Sequence, residues 1–336
     1  MGNAGDGFTM KQRIVSLLQL LLGTAILLAI FHRLQRSGNL GNLTDALRQA
    51  ADNWLLLCAG VAAFGFCILV AAIRWKLILD AQDFNIKFQR VLSLFFIGHF
   101  FNAFILGATG GDLVKAVYVC ADAEDRRTEA VSTIFIDRLI GLVTMFMLVA
   151  VITLVRLPFF LAHPQTRITL VFNLAITIGT ILVLIIGFRE HVFEEWKLFR
   201  NLKERTKLGD IFGRVYTAFH MCLRHRGLLS RTIVLSLFNH VGFVFVAYFI
   251  GMALQLPLTF VDYLTVIPII AVVAAVPITP SGIGTRETMT LFLFGALNVS
   301  EANAVTHSLL TYAVLIIWSF IAGLYYFCSI YLNKDR

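Results

Sequence analysis

Residues 91–120 read VLSLFFIGHFFNAFILGATGGDLVKAVYVC, an apolar run that is broken by glycines and then resumes only briefly. Val91–Gly107 has the composition of a membrane helix. Leu113–Cys120 is less than half as long as the about 20 residues that a helix needs to cross a bilayer. Glycine tolerates positive φ, so the residues between the two limbs favour a sharp reversal. We therefore predict a re-entrant hairpin, which enters the membrane and returns to the same face.

A second interrupted stretch follows the same design. Tyr263–Val276 is apolar, Pro277–Gly284 contains two prolines and two glycines, and Thr288–Leu297 is again short. Proline ends helices because it lacks the backbone N–H and clashes with the preceding turn. We predict a second re-entrant hairpin over residues 263–297.

Six other apolar runs are long enough for complete spans. These runs are Ile14–Phe31, Asn53–Ile73, Ala130–Val155, Ile168–Gly187, Thr232–Met252 and Ala304–Tyr331. Hydrophobic residues make up 58% of the chain and charged residues 14%, whereas a soluble domain has about 25% charged residues. The composition excludes a soluble protein. The predicted fold class is an all-α polytopic integral membrane protein, with one membrane domain over residues 1–336.

Basic residues predict which connections face the cytoplasm. Residues 189–231 carry ten Lys or Arg, whereas Leu254–Asp262 and Val299–Asn303 carry none. We therefore place the first segment inside and the other two outside. Both ends of the second hairpin then lie outside.

The first hairpin is predicted to enter from the cytoplasm, because the connections Arg74–Arg90 and Ala121–Glu129 are both basic. His32–Asp52 is predicted to be an external loop, although its three arginines fit that side poorly. This topology places both termini in the cytoplasm, and we expect the plasma membrane of a bacterium.

The order span, hairpin, span occurs twice with opposite orientation, in residues 53–155 and in residues 232–331. Inverted repeats with broken helices are typical of secondary transporters, which bind substrate near the midplane between the repeats. We predict such a repeat here. Between the two copies, residues 189–231 contain a basic amphipathic pattern, which predicts a helix on the inner leaflet or against the membrane domain.

The first hairpin tip combines glycines with a polar cluster. The candidate site residues there are Asn102, Thr109, Gly110, Gly111, Asp112 and Lys115. Asp112 is expected to cap the short helix that follows. The free N–H groups and the positive dipole end at that position favour an anion, and Lys115 adds a full positive charge.

The second tip repeats this pattern, with a cap at Thr285 or Ser281. Its candidate residues are Ser281, Gly282, Gly284, Arg286 and Glu287. Since the two hairpins enter from opposite faces, we expect their tips to meet near the bilayer centre.

Asp137 and Arg138 form a third polar site, inside a predicted span. Each such charge costs about 2.5–3.5 kcal/mol at the centre of a membrane helix. Adjacent residues point in different directions on a helix, so each needs its own partner. The expected partners are Glu287 or Asp112 for Arg138, and Lys115 or Arg286 for Asp137. Two interpretations stay open: the charges only neutralise one another and fix the packing, or the bases also bind an anionic headgroup.

Other residues carry less information. His99 and His240 lie in apolar runs and either line a polar cavity or are satisfied in the interior. The five cysteines are scattered, and we expect no metal, cofactor or disulfide. The formal net charge of +8 is interpreted as cytoplasmic loops facing anionic lipid, and no nucleic-acid partner is expected.

These motifs resemble the lysylphosphatidylglycerol synthase transmembrane region, also called the flippase-like domain family. The resemblance extends from about Asn53 to the C-terminus and rests on Asn102, Gly110-Gly111-Asp112, Lys115, Asp137-Arg138, Gly141-Leu142 and Pro280-Ser-Gly-Ile-Gly-x-Arg-Glu287. The chain departs from the family at two positions. It has Leu106-Gly107 where the family has a proline, and Lys115 where the family has an arginine, which loses the two-pronged contact with phosphate.

The resemblance implies the handling of lipids with anionic or amino-acylated headgroups. In bifunctional relatives this region moves the lipid between leaflets, and a separate soluble domain attaches lysine from aminoacyl-tRNA. Residues 189–231 are too few for such a domain, so we expect no enzyme activity.

We therefore predict a flippase-like lipid transporter. Its partners would be an anionic or amino-acylated phospholipid or a polyprenyl-phosphate lipid, and a homodimer remains an option. The alternatives are a membrane-embedded enzyme that acts on a lipid phosphate or polyprenyl-phosphate sugar, and a non-transporting accessory subunit of envelope assembly.

Overall fold

The computed structural model describes residues 10–36, 40–104, 110–123, 126–162, 164–188, 226–275, 279 and 282–333. Within these ranges the chain is helical and has no strands, which confirms the predicted all-α class. The described helices are α1 (Met10–Arg36), α2 (Leu40–Asp52), α3 (Trp54–Ala81), α4 (Phe88–Phe104), α5 (Gly110–Asp122), α6 (Arg127–Val155), α7 (Leu157–Ala162), α8 (Pro164–Phe188), α9 (Arg226–Ala253), α10 (Phe260–Ala275), α11 (Thr285–Gly295) and α12 (Glu301–Asn333).

Four of the described helices, α3, α6, α9 and α12, are long and apolar enough to cross a membrane. Each of them contains a predicted span. The other two predicted spans lie in α1 and α8, which have 27 and 25 residues. The described apolar part of α8, Thr166–Leu182, is shorter than a full span.

Contacts between helix ends place several of them together at one end of the bundle. The Asn53 side-chain amide, just before α3, donates to the Ala253 carbonyl at the end of α9, at 3.1 Å. Arg156 follows α6 and donates to Asp262 in the first turn of α10, at 2.7 Å. Since the start of α3 meets the end of α9, these two helices are antiparallel.

Helices α4 and α5 form an antiparallel hairpin. Arg90 Nε, near the start of α4, donates to Asp122, the last residue of α5, at 2.9 Å. Near the turn, the Gly111 N–H donates to Asn102 Oδ1 at 2.7 Å. Helix α3 starts at the Asn53 end of the bundle and α4 follows its far end. The open end of this hairpin therefore lies at the end of the bundle opposite Asn53.

Helices α10 and α11 form a second antiparallel hairpin. At its open end, the rings of Tyr263 and Phe294 pack edge to face, with their centroids 6.0 Å apart. At its turn, Gly282 has φ of +71° and lies against the backbone of Ala274. A side chain at Gly282 would be strained, so glycine is suited to this turn. This hairpin opens at the Asn53 end of the bundle.

The helix contacts of α3–α6 match those of α9–α12 pair for pair. Helix α3 packs on α4 as α9 packs on α10, and α5 packs on α6 as α11 packs on α12. The contacts between the two sets correspond as well: α4 packs on α12 as α10 packs on α6. Helices α3 and α9 pack directly on each other at the centre of this arrangement.

Two predicted loops are partly helical, which corrects the sequence analysis. Residues 32–52 contain the end of α1 and the amphipathic helix α2, which buries Leu43, Ala46 and Ala50. Apolar residues recur there with helical spacing, although the segment is too polar to register as a span. Helix α3 also continues past Ile73 to Ala81, so the first part of the predicted connection Arg74–Arg90 is helical.

Three predictions lie outside the described residues. They concern Thr109, Ser281 and the amphipathic pattern of residues 189–225.

Candidate functional site

Two deeply buried charges form a pair between α3 and α6. Arg74 Nε and Nη2 donate to the two oxygens of Asp137, at 2.7 and 2.9 Å, and both side chains are 7% exposed. Arg74 Nη1 also donates to Ser236 Oγ of α9, at 2.8 Å. The guanidinium has room because Gly141 faces it, where a Cβ would lie 3.1 Å from Nη1. This pair joins three helices of the bundle.

The predicted partners of Asp137, Lys115 and Arg286, are therefore wrong. Its partner is Arg74, which the sequence analysis assigned to a cytoplasmic connection because Lys76, Lys87 and Arg90 follow it. Leu77–Leu79 continue the apolar run beyond Arg74, and that continuation was the signal for a buried arginine.

Arg138 forms an ion pair with Asp112, one of its two predicted partners. Its Nε lies 2.8 Å from one carboxylate oxygen, and its Nη2 donates to the other at 3.0 Å. Lys115 Nζ lies 3.2 Å from the same carboxylate. Asp112 is therefore shared by two cations and connects the start of α5 to α6.

Asp112 does not cap α5 as predicted. The described helix already begins at Gly110, so Asp112 is its third residue and its carboxylate faces the two cations. A carboxylate in the first turn is still favoured by the positive end of the helix dipole.

Lys115 is enclosed, in contrast to Arg138. Its side chain is 6% exposed, and its ammonium lies 4.2 Å from the ring centroid of Phe95 and 5.4 Å from that of Trp75. The Arg138 side chain is 54% exposed. Of these two bases, Arg138 is therefore the one that a ligand can reach in this conformation.

Gly98 and Gly111 bring α4 and α5 into backbone contact. A Cβ on Gly111 would overlap the Gly98 carbonyl, so a larger residue would push the helices apart. The close approach also allows the Asn102 amide to accept the Gly111 N–H. These contacts fix the start of α5, and with it Asp112.

The start of α11 is held by Glu287. Its Oε2 accepts the Gly284 N–H at 2.6 Å, and its Oε1 accepts a hydrogen bond from Ser308 Oγ of α12 at 3.0 Å. The cap residue is Gly284, with φ of +85°. Thr285, a predicted cap, is instead the first helical residue, and its hydroxyl donates to the Gly282 carbonyl.

Arg286 lies on the other side of this helix start. Its guanidinium is stacked over the ring of Tyr312 from α12, 5.2 Å from the centroid. Such cation–π contacts help to orient an arginine. Arg286 thus faces away from the Glu287 contacts and toward the interior between the hairpins.

A cavity of about 370 Å³ lies between the two hairpins. Asn102 from the first hairpin, Arg286 from the second hairpin and Arg138 from α6 all line it. Lys115 and Glu287 do not belong to its lining. The structure therefore brings two of the predicted arginines and both hairpins to one cavity. That the tips meet near the bilayer centre stays a prediction.

Part of the cavity wall was missed by the sequence analysis. Helix α12 contributes Ser308, Thr311, Tyr312 and Ser319, and α11 contributes Thr290. The residues of α12 recur at helical spacing inside an otherwise apolar span. Such a polar stripe indicates an inward-facing surface, so the pattern was detectable.

A second cavity of about 280 Å³ adjoins the first, and Arg138 and His99 line both. His240 and Asn239 line the second. The two histidines are also satisfied in the interior. His99 Nε2 lies 3.3 Å from the Leu315 carbonyl, and His240 Nε2 lies 2.9 Å from the Gly141 carbonyl. Both interpretations of these histidines therefore hold.

Comparisons with known proteins show which family this sequence is similar to. A UPF0104 membrane protein from Pyrococcus horikoshii is 27% identical over 284 residues, which covers 80% of this chain and 84% of that relative. The family model described as the lysylphosphatidylglycerol synthase TM region matches residues 16–323, and thus includes both hairpins and both cavities. The chain belongs to the lysylphosphatidylglycerol synthase TM region family.

Proposed function

We propose that the chain binds the phosphate-bearing headgroup of a lipid in the cavity between the hairpins and moves the lipid between leaflets. The observation that carries this proposal is that Arg138 and Arg286 line one cavity from opposite halves of the chain. Arginine donates two parallel hydrogen bonds to a phosphate and keeps its charge in an apolar environment. Two such groups facing one cavity suit a headgroup that must leave water.

An inverted repeat supports transport rather than static binding. The pairwise match between the contacts of α3–α6 and α9–α12, together with the antiparallel packing of α3 on α9, is what two copies of opposite orientation would produce. In transporters of this design, the substrate site lies between the repeats and access alternates as one repeat moves against the other.

The hairpins are proposed to be re-entrant, each from its own side. Their open ends lie at opposite ends of the bundle, and described residues beside each turn, Asn102 in the first hairpin and Ala275 in the second, line the same cavity. Leu113 and Val117 on α5 are 60% and 69% exposed, so this hairpin offers an apolar outer surface on which acyl chains can stay in lipid. Only the headgroup would then pass through the polar interior.

We propose that the movement is not driven by nucleotide hydrolysis in this chain. The sequence contains no G-x-x-x-x-G-K-[ST] loop. We therefore propose that a lipid or ion gradient, the membrane potential or a partner drives the movement.

Liposome reconstitution tests this proposal. The wild-type protein should speed the movement of a fluorescent anionic lipid across the bilayer, and Arg138→Gln or Arg286→Gln should slow it by about tenfold or more, because each loses a charge-assisted hydrogen bond. Arg48→Gln is the matched control, since Arg48 lies on α2 with its side chain 84% exposed. Wild-type rates equal to those of empty vesicles would refute the proposal.

A further inference from the structure

We infer that the cavity selects a lipid headgroup that combines a phosphate diester with free hydroxyl groups, and that it rejects amino-acylated headgroups. This inference rests on the proposed function and names the substrate class of the same site. It concerns a choice that the resemblance to the family leaves open, between anionic lipids and their amino-acylated derivatives.

The first argument is the absence of an available acid. Among the described residues that line the cavity there is no Asp or Glu. The nearby acids are committed to other groups: Asp112 to Arg138 and Lys115, and Glu287 to the Gly284 N–H and Ser308.

An ammonium group would therefore enter without a counter-charge, because the neutral hydroxyl oxygens of the wall can accept its hydrogen bonds but cannot neutralise it. Moving an unpaired charge out of water is strongly unfavourable, and two arginines in the same cavity would add repulsion. A lysyl group carries two ammonium groups and would meet this penalty twice. Binding of a phosphate is favoured instead, because both arginines can donate charge-assisted hydrogen bonds to it.

The second argument is the balance of the charged residues around the cavity. The described interior around the cavity holds four bases, which are Arg74, Lys115, Arg138 and Arg286, and three acids, which are Asp112, Asp137 and Glu287. One positive charge is left in excess. A phosphate diester carries a single negative charge and would neutralise it, whereas lysylphosphatidylglycerol would add net positive charge.

The third argument is that the hydroxyl groups of the cavity wall already use their protons in hydrogen bonds within the protein. Thr290, Thr311 and Ser319 each donate their proton to a carbonyl one turn earlier in their own helix, at 2.8 Å in each case. Ser308 donates to Glu287. A hydroxyl has two acceptor lone pairs, so these oxygens still accept hydrogen bonds. The wall thus offers neutral acceptors, which match the O–H donors of a glycerol or sugar.

The size of the cavity agrees with such a ligand. Small-molecule sites occupy about 300–1,000 Å³, and the cavity of about 370 Å³ lies at the lower end of that range. It fits a single small headgroup. Two sources supply the required chemistry, a glycerophospholipid such as phosphatidylglycerol and a polyprenyl-phosphate sugar.

Native mass spectrometry of the purified full-length protein with matched lipids tests the inference. Phosphatidylglycerol and lysylphosphatidylglycerol differ in the esterified lysine, so their comparison tests the rejection of the amino-acyl group. The lysine adds bulk as well as charge, and the Arg286→Gln variant separates these two causes. Phosphatidylglycerol and phosphatidylmethanol carry the same charge but differ in hydroxyls. A polyprenyl-phosphate sugar in the same mixture distinguishes the two sources.

We expect phosphatidylglycerol or the sugar lipid to bind at least about tenfold more tightly than lysylphosphatidylglycerol, and several-fold more tightly than phosphatidylmethanol. Arg286→Gln should reduce the first ratio. Thr290→Val combined with Thr311→Val should reduce the second ratio and leave the first unchanged. If a variant does not fold, the ranking of lipids by the wild-type protein decides alone.

The outcomes separate this inference from the proposed function. If lysylphosphatidylglycerol binds as tightly as phosphatidylglycerol, the selectivity is refuted, while lipid binding stands. Equal binding of phosphatidylmethanol refutes the role of the hydroxyls. If no lipid binds better to the wild-type protein than to the Arg138→Gln/Arg286→Gln variant, both the inference and the proposed function fall.

Discussion

The guanidinium of Arg74 and the carboxylate of Asp137 face each other in parallel, with two hydrogen bonds of 2.7 and 2.9 Å. This pair fixes the rotation of α6 relative to α3. Since successive residues of a helix are about 100° apart, fixing Asp137 also fixes the direction of Arg138, which lines the cavity. The buried pair therefore orients an arginine that it does not touch.

Loss of one member of this pair should destabilise the protein strongly. Arg74→Gln or Asp137→Asn leaves one buried charge without its partner, and such changes cost about 3–5 kcal/mol. The double variant Arg74→Met/Asp137→Leu removes both charges and should recover much of that loss. Thermal unfolding of the detergent-purified proteins measures both effects.

Arg48→Gln serves as the control for a lost exposed arginine, and its unfolding temperature should match that of the wild-type protein. Single variants as stable as the control would show that the Arg74–Asp137 pair is not needed for the fold.

The sequence predicted the all-helical fold and the Arg138–Asp112 pair, but not the partner of Asp137. The apolar run lengths and the glycine turns led to two antiparallel helix pairs and to four helices that are long and apolar enough to cross a membrane. The re-entrant course of the two pairs stays a prediction. The partner of Asp137 was missed because it depends on the relative rotation of α3 and α6, which residue patterns in one helix do not encode. The cavity face of α12 was missed for a different reason, since Ser308 and Thr311 were hidden by the high mean hydropathy of their span.

A side chain at Gly111 should separate α4 from α5. In Gly111→Ala the new methyl group meets the Gly98 carbonyl, so the helices must move apart and the hydrogen bond to Asn102 is strained. Overpacking of this kind costs about 1–3 kcal/mol. The unfolding temperature should fall, and lipid movement should slow as Asp112 shifts.

Gly179→Ala is the matched control, because a Cβ at Gly179 in α8 meets nothing within 4 Å. Alanine favours helices by up to about 1 kcal/mol over glycine, so this variant should be as stable as the wild-type protein or slightly more stable. If Gly111→Ala behaves like Gly179→Ala, the close packing of α4 on α5 is not required.

Removal of the Asp112 charge should strengthen the binding of anionic lipid. In Asp112→Asn, Arg138 no longer has a competing carboxylate, so a phosphate can take both of its donors without displacing an internal anion. A hydrogen bond to a charged group contributes about 1.5–3 kcal/mol, so the affinity for phosphatidylglycerol should rise about tenfold or more. Titration of the folded variant with this lipid measures the change.

Asp45→Asn removes an exposed acid from α2 and should leave the affinity unchanged, because the Asp45 side chain is 73% exposed and 4.0 Å from Arg48. An unchanged or weaker affinity in Asp112→Asn would mean that the Asp112 carboxylate does not compete with the lipid for Arg138.

Cysteine accessibility should show that both open ends of each hairpin lie on one side of the membrane. After replacement of the natural cysteines, single cysteines at Asn85 and Ala121 flank the first hairpin, and cysteines at Pro257 and Ser300 flank the second; all four positions are exposed. An impermeant thiol reagent applied to intact cells should label positions 257 and 300. It should reach positions 85 and 121 only after permeabilisation, because the basic connections stay in the cytoplasm.

Labelling of 257 and 300 from opposite sides would mean that α10 and α11 together cross the bilayer, and the repeats would then not be inverted. Labelling of all four positions with the sides exchanged would keep both hairpins but reverse the orientation that the basic residues predict.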